Sequence, residues 1–317
     1  MKIEEIQEYL QVPNRNIFAS LLLLVGFIML GLVLGNLAGI MISLPLFDAD
    51  YETMVNAFVD PAAYPDSRRA LLIVQACSSL FGFILAPLTF YVLIEKGRPD
   101  KLLHNERIDT GLILLVGLIV LTFMVANSVV IEWNMNVDLS KLSPAFERWA
   151  TAKEEQLKVL TEYLTRFESI GGLLVGLVVI AVLPAIGEEL VFRGLGQRML
   201  HGLTHNHHAG IWISAFLFSF IHLQFYGFFP RFLLGALFGY IYYWSGSLWY
   251  PIFAHFANNG FTLVMLYMYQ QQVTELNVED TESVPVYTAL VALAATLGML
   301  YYFKKRFSKI SATENGW

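Results

Sequence analysis

The sequence predicts an all-α membrane protein, a polytopic bundle of about eight transmembrane helices. Of its 317 residues, 56% are hydrophobic and 15% are charged, and the mean hydropathy is +0.56. A soluble domain carries roughly 25% charged residues. The apolar residues also gather into runs of about twenty, the length that crosses a bilayer as a helix. No gap of soluble-domain size separates these runs, so residues 1–317 are interpreted as a single integral-membrane domain.

The candidate spans lie at about 18–46, 70–94, 111–131, 171–200, 209–226, 230–246, 249–270 and 285–303. Polar residues interrupt the fourth and fifth of them. The first run is too long for the apolar region of a signal peptide, so we expect it to be a retained span. The one cysteine, Cys77, lies in an apolar run and cannot form an internal disulfide.

Loop charges predict the orientation, because cytoplasmic loops carry an excess of Lys and Arg. The basic loops contain Lys96, Arg98, Lys101, Arg107, Lys304, Lys305, Arg306 and Lys309. The acidic loops contain Asp48, Asp50, Glu52, Asp60, Asp66, Glu275, Glu279, Asp280 and Glu282. This asymmetry predicts that both termini and the loop 201–208 are cytoplasmic, while 132–169 is external.

The longest loop, 132–169, is predicted to contain an amphipathic helix between the third and fourth spans. Ser143 and Pro144 suit the N-cap and the first helical position. Apolar residues then follow at helical spacing, from Phe146 and Trp149 to Phe167. Two interpretations remain open: a helix that lies on the membrane surface, and a lid that covers the bundle.

Charged residues occur where the fourth apolar run should be uncharged, in the segment IGEELVFRGL. Ionisable groups inside a bilayer are costly and mark functional sites by default. Glu189 and Arg193 are four residues apart and share a helix face in the favourable order. Glu188 points about 100° away from that pair and is left free for another partner. Pro184 removes a backbone hydrogen bond one turn earlier and can kink the helix.

Two further apolar runs each carry one histidine, His222 and His255, and Asn259 follows His255 by one helical turn. The loop centred near His205 is equally far along the chain from Glu188 and from His222. At ~1.5 Å per residue, these groups all fall roughly 15–25 Å from the cytoplasmic end. The sequence thus predicts that Glu188, His222, His255 and Asn259 surround one buried point.

These residue types suit hydrolysis. A carboxylate and a histidine that meet at one water can act as a general base, and a second histidine with an amide can stabilise an oxyanion. Glu188, His222 and His255 are alternatively a zinc ligand set. The H-E-x-x-H motif is absent, and no serine or cysteine stands out as a nucleophile. Each histidine alone could instead form an interhelical hydrogen bond, and the Glu–Arg pair could be purely structural.

A second histidine cluster lies in the loop HGLTHNHH, with His201, His205, His207 and His208. It is interpreted as a solvated cytoplasmic turn, with a metal-binding tract as the alternative.

Three motifs occur in order on separate runs: Glu188-Glu189-x-x-x-Arg193, Phe218-x-x-x-His222 and His255-x-x-x-Asn259. Together they resemble the CPBP family of intramembrane proteases, also called the CAAX protease and bacteriocin-processing (Abi) family, which includes the type II CAAX prenyl endopeptidases. The resemblance covers a protease core of about 171–270. The first three spans carry no motif.

The resemblance implies an eight-helix bundle with a conical cavity that opens to the cytoplasm. It implies that Glu188 activates water with the help of His222, and that His255 and Asn259 stabilise the oxyanion. Glu189 and Arg193 would shape and support the site. The family has been labelled both metalloprotease and glutamate protease. For this chain the metal-free version is favoured, so no cofactor is expected, and zinc stays the alternative.

The expected function is therefore that of an intramembrane endopeptidase in a prokaryotic plasma (inner) membrane. Its partners would be the lipid bilayer and a membrane-associated peptide or protein substrate, with no nucleic acid. The alternative is a non-catalytic membrane scaffold or bacteriocin-immunity protein with the same fold. A transporter is a third class, but no inverted repeat supports it.

Overall fold

The computed structural model describes residues 16–103, 108–141, 143–277 and 283–314. Within these ranges every regular element is helical and no strand is present, so the all-α prediction is confirmed. Both chain ends lie outside the described residues. So do four of the charges used to predict the orientation: Arg107, Glu279, Asp280 and Glu282.

The helices follow one another along the chain with short connections. They are α1 (Ile17–Ser43), α2 (Tyr51–Val59), α3 (Ser67–Leu93), α4 (Pro99–Leu103), α5 (Thr110–Met135), α6 (Pro144–Leu164), α7 (Ile170–Thr204), α8 (His207–Phe220), α9 (Phe228–Ser245), α10 (Trp249–Gln270) and α11 (Val286–Glu314). Short 3₁₀ turns extend α1 over Leu44–Phe47 and precede α9 at Phe225–Gly227.

Five helices of the described chain are long and apolar enough to cross a membrane, by length and composition. They are α1 with its extension (Ile17–Phe47), α3, α5, α7 and the part of α11 from Val286 to Ser308. The protein is thus a polytopic helical membrane protein, as predicted. The predicted number of eight spans is not confirmed. The other three predicted spans are present as α8, α9 and α10, and α8 has only 14 residues, fewer than the ~20 that a membrane crossing needs.

Glycines at every fourth position let α1 pack closely against α3. A Cβ added to Gly35 would lie 2.6 Å from the carbonyl oxygen of Cys77, and one added to Gly31 would lie 2.5 Å from that of Phe81. Small residues at this spacing are typical of membrane helices that touch along their backbones. The opposite side of α1 is exposed and apolar, as a lipid-facing surface requires; Met41 is 73% exposed.

Glycines also allow close packing between the helices around the predicted site. On α9, a Cβ at Gly239 would lie 2.8 Å from Ile211 Cγ2, and a Cβ at Gly235 would lie 3.2 Å from the Cα of Ala215. On α7, a Cβ at Gly187 would lie 2.7 Å from the Cβ of Phe83. These close approaches bring α8 against α9 and α7 against α3, which fixes the positions of the site-bearing helices.

Helix α7 is not a regular α-helix along its length. It widens into π-helical turns at Leu177–Val182 and again at Leu190–Gln197. Such turns are rare and occur frequently at functional sites. The two carboxylates, Glu188 and Glu189, lie in the α-helical segment between them, Leu183–Glu189.

The predicted amphipathic helix is present as α6, and the Ser143 side chain caps it by accepting from the Phe146 N–H. The Phe146 ring packs edge-on against Phe225, with 5.0 Å between centroids. At the other end of α6, the Tyr163 hydroxyl donates to the carbonyl of Pro61 at 2.9 Å. The helix is thus held against the bundle at both ends, as a lid would be. Its external location stays a prediction.

Candidate active site

A fully buried ion pair lies at the centre of α7. Glu189 and Arg193 are both 0% exposed, and Arg193 Nη1 donates to Glu189 Oε1 at 3.0 Å. This is the contact that the four-residue spacing predicts. Arg193 Nη2 also donates to the carbonyl oxygen of Gly235 at 2.7 Å and so ties α7 to α9. Pairing and hydrogen bonding allow a charge to be buried.

Three aromatic rings enclose the Arg193 guanidinium. Its carbon lies 4.7 Å from the ring centroid of Phe218, 5.5 Å from that of Phe238 and 6.0 Å from that of Phe192. A cation over an aromatic face is attracted by the ring quadrupole, more strongly where water is excluded. Phe218 belongs to a predicted motif, whereas the sequence analysis did not find Phe192 or Phe238.

His255 is oriented by Glu189, a contact that the sequence analysis did not predict. His255 Nδ1 lies 2.9 Å from Glu189 Oε1, the same oxygen that accepts from Arg193. An ionised carboxylate only accepts hydrogen bonds, so Nδ1 carries a proton. The ring stacks on Phe238 at 5.4 Å, and its Nε2 is thereby turned towards Glu188.

Glu188 is the free carboxylate of the site. Its side chain is 16% exposed, and Oε2 lies 4.0 Å from His255 Nε2. Within the described chain Oε2 has no hydrogen-bond partner, although the atom itself is buried. A separation of 4.0 Å exceeds a direct hydrogen bond, and polar atoms at such separations are commonly bridged by water. The prediction that Glu188, unlike Glu189, is left for an outside partner agrees with this geometry.

His222 lies just past the end of α8 and not inside a helix. The predicted apolar span 209–226 ends as a helix at Phe220. The last carbonyls of a helix lack backbone partners, and the His222 ring takes one of them: Nδ1 lies 2.7 Å from the carbonyl oxygen of Phe218. Because a carbonyl only accepts, Nδ1 is protonated, and Nε2 of the neutral ring is free to accept.

Asn259 is held by a backbone carbonyl of α7. Its Nδ2 donates to the Ile180 oxygen at 3.2 Å. Pro184, four residues after Ile180, has no N–H with which to satisfy that carbonyl. Asn258 also donates to Asn259 Oδ1 at 3.1 Å, which fixes the amide orientation. An amide nitrogen carries two donor hydrogens, so Asn259 retains a second N–H for a ligand.

The four predicted residues are not joined by direct hydrogen bonds. Glu188 approaches His255, and the ring of Phe218 contacts both histidines, with centroid distances of 5.3 Å to His222 and 5.8 Å to His255. Asn259 makes its hydrogen bonds to Ile180 and Asn258, without a contact to the other three in the described structure.

The residues of the zinc alternative do not form a ligand set among the described residues. A catalytic zinc usually takes three protein ligands at about 2.0–2.2 Å. Among the described residues, no group of three His, Cys, Asp or Glu side chains is placed to hold a metal ion. This includes both Glu188, His222 and His255 and the histidines of the loop 201–208. In the structure only 205–206 connect the two helices: His201 belongs to α7 and His207 begins α8, and their rings stack with 3.7 Å between centroids.

The structure contains a series of side-chain hydrogen bonds that was not predicted from the sequence. Arg231, in the first turn of α9, donates to Gln224 Oε1 at 2.7 Å, and Gln224 Nε2 lies 3.4 Å from Glu154 Oε1 on α6. The charge of Arg231 interacts with Glu188 as well as with Glu154. The signal was present in the sequence, since Arg231 is a lone charge in the apolar run FFPRFLLG.

Comparison with known proteins agrees with the three motifs. Residues 170–261 match the family model described as "Type II CAAX prenyl endopeptidase Rce1-like". A protein of Bacillus subtilis (strain 168), "Uncharacterized protein YpbD", is 29% identical over 84 residues, which cover 25% of this chain and 40% of that relative. The chain thus spans well under two thirds of that relative's length.

The comparison with solved structures gave no match. The family match includes Glu188, His222, His255 and Asn259 and leaves the first three long helices and α11 outside it. The resemblance to the type II CAAX prenyl endopeptidases that the motifs predicted is confirmed over residues 170–261.

Proposed function

We propose that the protein is an intramembrane endopeptidase that hydrolyses peptide bonds of membrane-associated proteins or peptides with a water activated by Glu188. The match of residues 170–261 to a family of membrane proteases supports a peptidase. The observation that carries the proposal is the distance between Glu188 and an oriented histidine: Glu188 Oε2 lies 4.0 Å from Nε2 of His255, whose other nitrogen is fixed by Glu189.

Glu188 is the general base of the proposed reaction. It takes a proton from the water, and the hydroxide attacks the carbonyl carbon of the scissile peptide bond. As the carbon–nitrogen bond breaks, the proton held by Glu188 passes to the leaving amine, which restores the carboxylate. His222 Nε2 accepts the second hydrogen of the water and holds it for attack, since Nδ1 is already committed to Phe218.

His255 and Asn259 stabilise the oxyanion in this mechanism. Asn259 donates through the N–H that Ile180 does not use. His255 donates through Nε2–H, while its Nδ1–H is directed at Glu189. Preorganised donors of this kind contribute strongly to acyl transfer.

Replacement of the base should abolish hydrolysis without unfolding the protein. We expect Glu188→Gln to lower kcat/KM about 10²–10⁴-fold, the usual contribution of a general base. The melting temperature should change little, since Glu188 Oε2 has no hydrogen-bond partner among the described residues that the change would remove. The measurement is cleavage of a fluorogenic peptide library by detergent-purified protein. Glu162→Gln, which removes a 48% exposed carboxylate on α6, is the matched control. Full activity in Glu188→Gln would rule out this base.

The proposed chemistry uses no metal. Each of the four residues has one role, and among the described residues no three His, Cys, Asp or Glu side chains are placed to hold a metal ion. We expect protein that has been exhaustively chelated and contains zinc far below one equivalent to keep its peptidase activity. Elemental analysis measures the zinc content of the same sample whose peptidase activity is assayed. Stoichiometric zinc, with activity lost on chelation and regained when zinc is added, would overturn the metal-free mechanism.

A further inference from the structure

Arg231 is a cation that the proposed mechanism leaves unused. Its Nη2 donates to Gln224 Oε1 at 2.7 Å, whereas its Nη1 is buried and has no hydrogen-bond partner in the described chain. A buried donor on a charged group loses its water without compensation unless something else accepts from it. Because Nη2 has an acceptor and Nη1 has none, the geometry points to a ligand that accepts a hydrogen bond from Nη1.

Neighbouring residues fix the position of the Arg231 guanidinium. A Cβ added at Gly227 would lie 3.3 Å from Arg231 Nη2 and 3.6 Å from Nη1, so the glycine leaves the space that the guanidinium fills. Gln224, which accepts from Arg231, is held in turn by Glu154 of α6 at 3.4 Å. The turn before α9 thus holds the guanidinium through Gln224, and α6 supports that glutamine through Glu154.

The charge of Arg231 lies near enough to the site residues to act on them electrostatically. It interacts electrostatically with Glu188, His222 and Glu154. Glu154 is near enough to act on Arg231, but no ion pair within 4.0 Å forms between them, and Glu154 Oε2 also lacks a hydrogen-bond partner among the described residues. An anion bound at the free Nη1 would therefore lie within electrostatic reach of Glu188, the base that activates the attacking water.

We propose that Arg231 binds a carboxylate of the peptide substrate close to the scissile bond. The planar guanidinium fork matches a carboxylate in geometry and charge. The carboxylate is supplied either by an acidic side chain or by the C-terminus of the substrate. This inference rests on the proposed peptidase function, and it adds a specificity that the hydrolytic residues alone do not provide.

Matched peptides test the inference on the full-length protein in detergent. One pair differs only by a C-terminal acid or amide, and other pairs carry Glu or Gln at each position around the cleaved bond. We expect one carboxylate to raise kcat/KM about tenfold to a hundredfold, the value of a charge-assisted hydrogen bond. Which pair shows the effect identifies the source of the carboxylate.

The variants separate this role from a structural one. Arg231→Gln should remove the preference for the carboxylate, mainly through a higher KM for the carboxylate peptide. Arg231→Lys keeps the charge without the fork and should retain part of the preference. Arg69→Gln is the matched control, because Arg69 is 76% exposed and pairs with Asp66 away from the site. The ratio between paired peptides is insensitive to a general loss of folded protein.

The outcomes distinguish the two proposals. Cleavage without any preference for a carboxylate, or a preference that survives in Arg231→Gln, would overturn the inference and leave the peptidase intact. If the wild type cleaves nothing, the proposed function fails. Binding of the same peptide pairs to the protein then tests whether Arg231 binds a carboxylate. Equal binding of acid and neutral peptides would then overturn the inference as well.

Discussion

Glu188 and Glu189 are neighbours in the sequence, and the helix gives their carboxylates different surroundings. Glu189 is fully buried and accepts from both Arg193 and His255 through one oxygen. Glu188 lies 4.0 Å from His255 Nε2, and its side chain is partly exposed. The separation follows from the 100° turn per residue, so a sequence can predict it wherever two acids are adjacent on a helix.

This separation predicts opposite phenotypes for two isosteric changes. Glu189→Gln leaves Arg193 buried without a counter-charge, and such a loss costs about 3–5 kcal/mol. We therefore expect Glu189→Gln to lower the melting temperature of the detergent-purified protein, while Glu188→Gln, its matched control, keeps the wild-type value. Loss of activity in Glu189→Gln should accompany the loss of stability, because His255 loses the charge that orients it. Equal melting temperatures for all three proteins would contradict the buried ion pair.

Individual side-chain hydrogen bonds between different helices could not be predicted from the sequence. The spacing of Glu189 and Arg193 is local and was sufficient to predict their pair. The bond from His255 to Glu189 and the chain from Arg231 through Gln224 to Glu154 join residues that are distant in sequence. Matched depth along the helices predicted that Glu188, His222, His255 and Asn259 approach one another, but depth alone does not show which side chains of two facing helices form a hydrogen bond. A lone charge in an apolar run was the one available signal for Arg231.

At the scale of the elements, hydropathy predicted the existence of helices better than their limits. The stretch 209–226 is apolar almost throughout, yet α8 ends at Phe220. Its end is set by the His222 ring on the Phe218 carbonyl and by Leu223, which has a positive φ of 54°. Neither feature changes the average hydropathy. The consequence for function is that His222 lies on a turn next to α6 and is not buried mid-helix.

Pro184 shows how a local rule and a tertiary contact combine. The sequence predicted that this proline would break a backbone hydrogen bond inside α7. In the structure the Ile180 carbonyl instead accepts from Asn259 on α10. The proline thus creates an acceptor for a residue that the proposed mechanism uses. The π-helical turns on both sides, Leu177–Val182 and Leu190–Gln197, were not predicted, because no residue pattern specifies them.

At the scale of the whole molecule, α6 and the histidine loop lie at opposite ends of α8. The loop 205–206 precedes α8, whereas Phe225, which follows it, packs against Phe146 and Trp149 of α6. The 14 residues of α8 separate the two regions by about 21 Å at 1.5 Å per residue. This arrangement agrees with the predicted topology, in which one region is external and the other cytoplasmic. It also places His222, which follows α8, at the end of α8 that faces α6.

Labelling of single cysteines in intact cells tests this topology. Cys77 is the one native cysteine and is half-buried, so Cys77→Ser provides the background. A cysteine introduced at Ser140, just before α6, should react with a membrane-impermeant maleimide from outside. A cysteine at Thr204, at the end of α7, should react only after the cells are permeabilised, because the basic loops predict a cytoplasmic location. Both positions are partly exposed, so burial does not explain a difference between them. Labelling of Thr204→Cys but not of Ser140→Cys in intact cells would invert the topology, and α6 would then cover the site from the cytoplasm.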